Sequence, residues 1–270
     1  MIKSIADFLL NSNPLSIEMI SILIVVGFIV GFINTLAGMA SALSYALFMA
    51  MGMPINVANG TTRIGIILQF AASSFLFKKK GLIDVKLASK VAVPIAVGSI
   101  AGANLAALVN TQIMEVVMGI MLPCMAILLI YNHRIENSGK TKNPYRCEPG
   151  RFGPLQFTLF FVIGAYGGFT HAGVGILIIF GSFYFLGLDM LRSNGIKQFA
   201  VLLYTPIALA IFIWHGQINW PVALIYSIGN VSGAVVASRF AFKWGAILVN
   251  YMVAAAVFMM SFWLIYKQFT

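Results

Sequence analysis

Residues 34–63 read NTLAGMASALSYALFMAMGMPINVANGTTR, and residues 169–198 read FTHAGVGILIIFGSFYFLGLDMLRSNGIKQ. At a shift of 135 residues the two stretches share their punctuation. Gly38 falls on Gly173, Gly52 on Gly187, and Asn59-Gly60 on Asn194-Gly195. The register continues outward. Gly81 meets Gly216, Asp84 meets Asn219, Gly98 meets Gly233, and Pro94 meets Gly229, two helix-weakening residues at one depth. Before the breaks a two-residue adjustment sets Gly31 on Gly168. So many ordered matches at a single offset point to an internal repeat. Each copy opens with a Gly-containing break, at Asn34–Ser41 and Phe169–Gly175, followed by an arm too short to cross a bilayer, Ala42–Met51 or Ile176–Leu186. Each opening portion, Ile17–Met51 and Leu155–Leu186, therefore reads as a helical hairpin that begins and ends on one side. Whether these hairpins span or re-enter is left open.

Around these hairpins the chain is apolar. Hydrophobic residues make up 60% and charged residues 9%, with a mean hydropathy of +0.95. Soluble domains carry about 25% charge, so this chain lacks the means to cover a water-facing surface. Stretches suited to crossing are Ile17–Leu36, Ile64–Phe77 lengthened by its polar start, Leu87–Val109, Ile113–Tyr131, Phe199–Trp214, Val222–Ala237 and Ile247–Tyr266. The first has only Lys3 before it and Glu18 at its entrance, which is not the pattern of a cleavable signal. The fold class is thus an all-α polytopic membrane protein with two repeats, each a broken or re-entrant hairpin plus three transmembrane helices, about 8–10 membrane segments in all. The polar run Asn132–Pro154 divides residues 1–131 from 155–270 as a linker.

The net charge of +10 sits almost wholly in loops. Lys78–Lys90 carries five lysines and the linker is basic, so both face the cytoplasm. The turn His215–Pro221, which corresponds to the Lys78–Lys80 loop, has no Lys or Arg and faces outward. The halves are therefore inverted, an arrangement many secondary transporters use. Both termini then lie outside the cytoplasmic (inner) membrane. Basic residues confined to loops do not make a nucleic-acid surface. Cys124 and Cys147 offer neither a disulfide framework nor metal spacing, and no cofactor is implied. There is no HExxH, no paired intramembrane Asp and no Ser–His motif, so the reading is not an enzyme.

GFINTLAGMASALSYALFMAMGMPINVANGTTR resembles the first-half signature of the sulfite exporter TauE/SafE family, also called the 4-toluene sulfonate uptake permeases, with its GFINTLAGGGGS and ANGTNR elements. GAYGGFTHAGVGILIIF and LGLDMLRSNGIKQ resemble its second Gly-rich element and ATATKK-like element. GQINWPVALIYSIGNVSGAVVASRFAFKWG resembles its GQVDW…GNLLGGWLGARLALKRG ending. The similarity covers residues 20–266 and departs at Met39-Ala40 and at Phe169-Thr170-His171. It implies transport of small anions: sulfite, sulfonates or sulfur-containing carboxylates.

Arg63 leads the candidate substrate-binding residues, because a charge inside a membrane segment is costly unless it serves a function. The structural alternative is a snorkelling arginine at the interface. Asn59, Thr61 and Thr62 are read as a polar helix start whose free N–H groups favour an anion. Lys197 and Gln198, aligned with Thr62 and Arg63, stand beside Asn194 as the counterpart; here the alternative is a cytoplasmic positive-inside lysine. Asn34, Thr35, Thr170 and His171 lie at the breaks and offer donors to sulfonate-like oxygens, and His171 also suits a proton shuttle. Gln69 and Tyr204 complete the set. All seven acidic residues lie at span ends, loops or tails, so a cavity with Arg63 and no carboxylate prefers anions. The pairs Gly27/Gly31, Gly98/Gly102, Gly164/Gly168 and Gly229/Gly233 read as close helix contacts. The expected function is a secondary transporter of small anions by alternating access; the alternative is an anion channel or a non-transporting assembly factor. The expected partners are the lipid bilayer and a small anionic substrate, with proton or sodium coupling and a homodimer left open.

Overall fold

The computed structural model describes residues 8–36, 38, 40–120 and 152–240, and these form an all-helical multi-pass membrane protein. The linker core, both cysteines, the end of the Ile113–Tyr131 span and the Ile247–Tyr266 span lie outside the described residues.

Helix α1, Ile17–Leu36, starts where Ser16 Oγ accepts the Met19 amide at 3.3 Å. It stops at the first break, and α2, Ser41–Ala50, follows. Ten residues rise only about 15 Å, half the hydrocarbon thickness. Pro54 then opens α3, Ile55–Lys79. Asp84 Oδ1 accepts the Leu87 amide and caps α4, Val85–Leu108, and the apolar helix α5 covers Thr111–Ile120. The second half runs through α6, Pro154–Phe169, the second break, and α7, Val174–Leu186. Asp189 caps α8, Met190–Trp214, and Asn219 receives the Val222 amide at the start of α9, Trp220–Phe240. Among the described residues, four helices, α1, α4, α8 and α9, are long and apolar enough to cross a membrane. Exposed Phe75, Leu105, Leu108, Ile213, Leu224 and Ile228 leave an apolar outer face suited to lipid.

The described glycines with positive φ come in three pairs spaced 135 residues apart: Gly38 and Gly173, Gly52 and Gly187, Gly81 and Gly216. The register seen in sequence is therefore also a register of left-handed turns, which glycine adopts without steric cost.

The small-residue pairs form two seams. Gly27 and Gly31 on α1 lie against the backbone of Tyr226 and Asn230, while Gly229 and Gly233 on α9 lie against Ile24 and Phe28. Gly98 and Gly102 on α4 meet Phe161 and Ala165, while Gly164 and Gly168 on α6 meet Ile95 and Ser99. Residue numbers rise together along each seam, so α1 runs parallel to α9 and α4 parallel to α6. A Cβ at any of these glycines would overlap backbone; small residues replace the hydrophobic driving force that lipid cannot supply. Helices α3 and α8 meet at the centre, and each also packs on the other half's last long helix, α3 on α9 and α8 on α4.

One sequence expectation needs correction. Asn59–Thr62 do not form the start of a helix. Pro54, extended at φ −56° and ψ 146°, starts α3 before them, so their backbone amides lie inside the helix and are not free for an anion.

Candidate functional site

The two helices that stop at breaks, α1 and α6, end inside the protein with unpaired carbonyls, the negative end of the helix dipole. Each end receives a buried cation from the opposite half. Arg63 on α3 is fully buried, and its Nη2 donates to the carbonyls of Gly168 at 2.6 Å and Gly167 at 3.2 Å, and to Asn59 Oδ1 at 3.3 Å. Lys197 on α8 is equally buried, and its Nζ donates to the carbonyls of Asn34 at 3.1 Å and Thr35 at 3.0 Å. Arg63 is thus no snorkelling surface residue, and Lys197 is no cytoplasmic loop lysine.

Aromatic faces support both cations. The Arg63 guanidinium lies 4.8 Å from the centre of the Phe212 ring, and Lys197 Nζ lies 5.8 Å from that of Phe70. A desolvated contact of this kind contributes about 2 kcal/mol. Neither cation meets a carboxylate among the described residues; the ion pair there is the exposed Arg192–Asp189 contact. Arg63 Nε and Nη1 are buried and face no acceptor among the described residues.

Around Arg63 the structure gathers Asn59, Thr170, His171 and Tyr204. Asn59 Nδ2 donates to the Phe169 carbonyl at 2.8 Å. His171 Nδ1 and the Tyr204 hydroxyl share a hydrogen bond of 2.7 Å. Thr170 Oγ1 accepts the Ala172 amide at 3.3 Å and shapes the break. Around Lys197 it gathers Asn34, Thr35, Gln69, Asn194 and Gln198. Gln198 Nε2 donates to the Thr35 carbonyl at 2.9 Å and to Asn194 Oδ1 at 3.2 Å. Gln69 Nε2 donates to Thr35 Oγ1 at 3.2 Å, and Asn34 Nδ2 to Gln69 Oε1 at 3.4 Å. The clusters adjoin: Arg63 and Lys197 both lie within electrostatic reach of His171, and Phe70 stands edge-on to the His171 ring.

Two expected residues are used elsewhere. Thr61 Oγ1 accepts the Asn219 amide at 3.0 Å and pins the turn before α9. Thr62 Oγ1 donates to the Asn59 carbonyl of its own helix at 2.8 Å.

Sequence reasoning missed Tyr45, Ser73, Phe70 and Phe212. The fully buried Tyr45 donates to Asn59 Oδ1 at 3.1 Å and accepts the His171 amide at 3.2 Å, joining the first hairpin to the second break. Ser73 Oγ donates to Gln198 Oε1 at 2.8 Å. The one sequence cue for Tyr45 is a hydroxyl-tipped ring within a short apolar arm. The phenylalanines look like any other core residue.

Among known proteins, a family profile described as "Sulfite exporter TauE/SafE" matches residues 23–264. A Sinorhizobium protein named "Probable membrane transporter protein ORF9" is 25% identical over 88% of this chain and 89% of its own length. A Haemophilus influenzae "Probable membrane transporter protein" is 22% identical over 94% of this chain and 97% of its own. The Escherichia coli K12 "Probable membrane transporter protein YfcA" is 20% identical over 93% and 91%. No solved structure matches the chain. With a match that spans nearly the whole sequence, the chain belongs to the sulfite exporter TauE/SafE family of membrane transporters.

Proposed function

We propose that the protein is a secondary transporter of small anions, sulfite or organosulfonates, working by alternating access between two inverted halves in the cytoplasmic membrane. The observation that carries the reading is Arg63, a buried cation with two nitrogens, Nε and Nη1, that meet no acceptor and no carboxylate beside it among the described residues. A permanent charge held that way is costly, and a sulfonate or sulfite oxygen supplies a charge-assisted acceptor that these donors lack. His171 and Tyr204, both within electrostatic reach of Arg63, complete the binding set in this reading.

The inverted-repeat part rests on reciprocity. Arg63 of the first half caps the broken helix of the second, and Lys197 of the second half caps that of the first. The seams repeat the exchange, α1 on α9 and α6 on α4. Residues 1–131 and 155–270 are the two moving units in this scheme, with 132–154 a cytoplasmic linker and both termini outside. A carrier is favoured over a channel because the breaks touch, Gly38 against Gly175.

The test is counterflow in proteoliposomes loaded with unlabelled sulfite or isethionate. Saturable exchange of labelled anion, lost in Arg63→Ala, is the expected result. Flux that never saturates favours a channel, and no flux with any small anion overturns the reading.

A further inference from the structure

The two buried cations differ in one chemical respect. A guanidinium keeps its charge in proteins, whereas a buried lysine can give up its proton. The protein sets the titratable one against the end of the first broken helix and the fixed one against the end of the second.

Hydrogen-bond inventory gives this difference a direction. A neutral amine has two N–H groups, and Lys197 Nζ has two acceptors, the carbonyls of Asn34 and Thr35. An ammonium has three N–H groups; beyond the two carbonyls Nζ faces the Phe70 ring, 5.8 Å from its centre, and no third hydrogen-bond acceptor among the described residues. These contacts therefore satisfy both N–H groups of the amine and leave one donor of the ammonium without a hydrogen-bond acceptor. A bound anion would reverse the preference by accepting that third N–H and supplying the counter-charge. We propose that Lys197 is the proton carrier of this transporter, taking up one proton when the anion binds and releasing it when the anion leaves. The inference rests on the anion-transport reading.

The step balances. Nζ accepts a proton from solvent on the side to which the site is open, the ammonium and the anion occupy the site together, and on the opposite side the anion leaves and Nζ returns its proton to solvent. For a monovalent sulfonate the cycle moves no net charge. By linkage, protonation tightens anion binding by the factor by which the anion favours protonation.

The other titratable groups near Lys197 are few. The second break brings His171, hydrogen-bonded to Tyr204 on Lys197's own helix. Helix α2 brings Tyr45, held by Asn59 and the His171 amide, and α3 brings Arg63. Helix α1 contributes Asn34 and Thr35, neither titratable. From α6 comes Tyr166, whose hydroxyl donates to the Ala172 carbonyl; from α7 comes Tyr184, edge-on to Phe180 and Phe183. Asp84, which caps α4, and Lys86 and Lys90 on that helix are exposed. His171 is thus the principal rival carrier.

The experiment is calorimetric titration of the purified full chain with isethionate, a sulfonate that stays ionised throughout, in buffers of different ionisation enthalpy. The expected result is about one proton taken up per anion. Apparent affinity should weaken as pH rises, by at most about tenfold per unit. Lys197→Arg should bind isethionate with no proton uptake and a flat pH profile; Lys197→Met should bind weakly and also lose the pH dependence. Zero uptake by the wild-type protein overturns the proposal whatever the variants do. Uptake that persists in Lys197→Arg but vanishes in His171→Gln transfers the role to the histidine and overturns it equally. If the wild-type protein binds neither isethionate nor sulfite, the transport reading falls first and takes this inference with it.

Discussion

Gly38 and Gly175 meet backbone to backbone: a Cβ on Gly38 would lie 2.8 Å from the Gly175 Cα, and one on Gly175 would lie 2.7 Å from the Gly38 Cα. The first break and the start of α7 thus close upon each other, with the Lys197 stem 3.0 Å from the same Gly175 position.

Gly175→Ala is the sharper test of that contact, because Gly38 also carries a left-handed φ of 82° that penalises any side chain. Overpacking against backbone costs about 1–3 kcal/mol. We expect a lower melting temperature in detergent and slowed counterflow. A variant with unchanged melting and unchanged exchange would show that the breaks are not in register.

Arg63→Lys should separate charge from geometry. Lysine keeps the cation but loses the planar fork, and each charged hydrogen bond lost is worth about 1.5–3 kcal/mol. The expected outcome is roughly 10–100-fold weaker anion binding, with Arg63→Ala abolishing binding or uptake in a protein that still folds. Normal apparent affinity in Arg63→Ala removes the arginine from the site.

Tyr45→Phe removes one hydroxyl between Asn59 Oδ1 and the His171 amide. It leaves a buried N–H without its acceptor, at a cost of about 1–3 kcal/mol. The protein should remain folded, with a lower melting temperature and weaker anion binding. A neutral result on both measurements means the tyrosine does not hold the second break in place.

Single cysteines at Lys79 and at Gln217 test the inversion. A membrane-impermeant thiol reagent applied to intact cells should reach the His215–Pro221 turn and not the Lys78–Lys80 loop. Labelling of both from one side refutes inverted halves.

Much of this was legible in the residues. Apolar content with charge almost wholly in loops requires a bilayer whatever the packing, because bilayer and water select on composition. The breaks were legible because a left-handed turn is a local demand that glycine alone meets cheaply, and Gly38 and Gly173 both adopt it. The small-residue pairs were legible for a similar reason: a missing side chain is visible before its neighbour is known.

What only the tertiary structure decided is which groups meet. Spacing placed Asn59–Thr62 at a helix start, but Pro54 begins the helix earlier and leaves their side chains, not their amides, to act. Thr61 and Thr62 pointed to the site in sequence and are spent on a turn and on their own helix. The carbonyls that hold Arg63 belong to Gly167 and Gly168, and those that hold Lys197 belong to Asn34 and Thr35, each pair in the opposite half. Such contacts depend on how closely the glycine seams let four helices approach, a property of packed surfaces and of no single segment. The sequence by itself determined a broken-helix membrane protein with a cation in each half; the packing decided that each cation serves the other half's break.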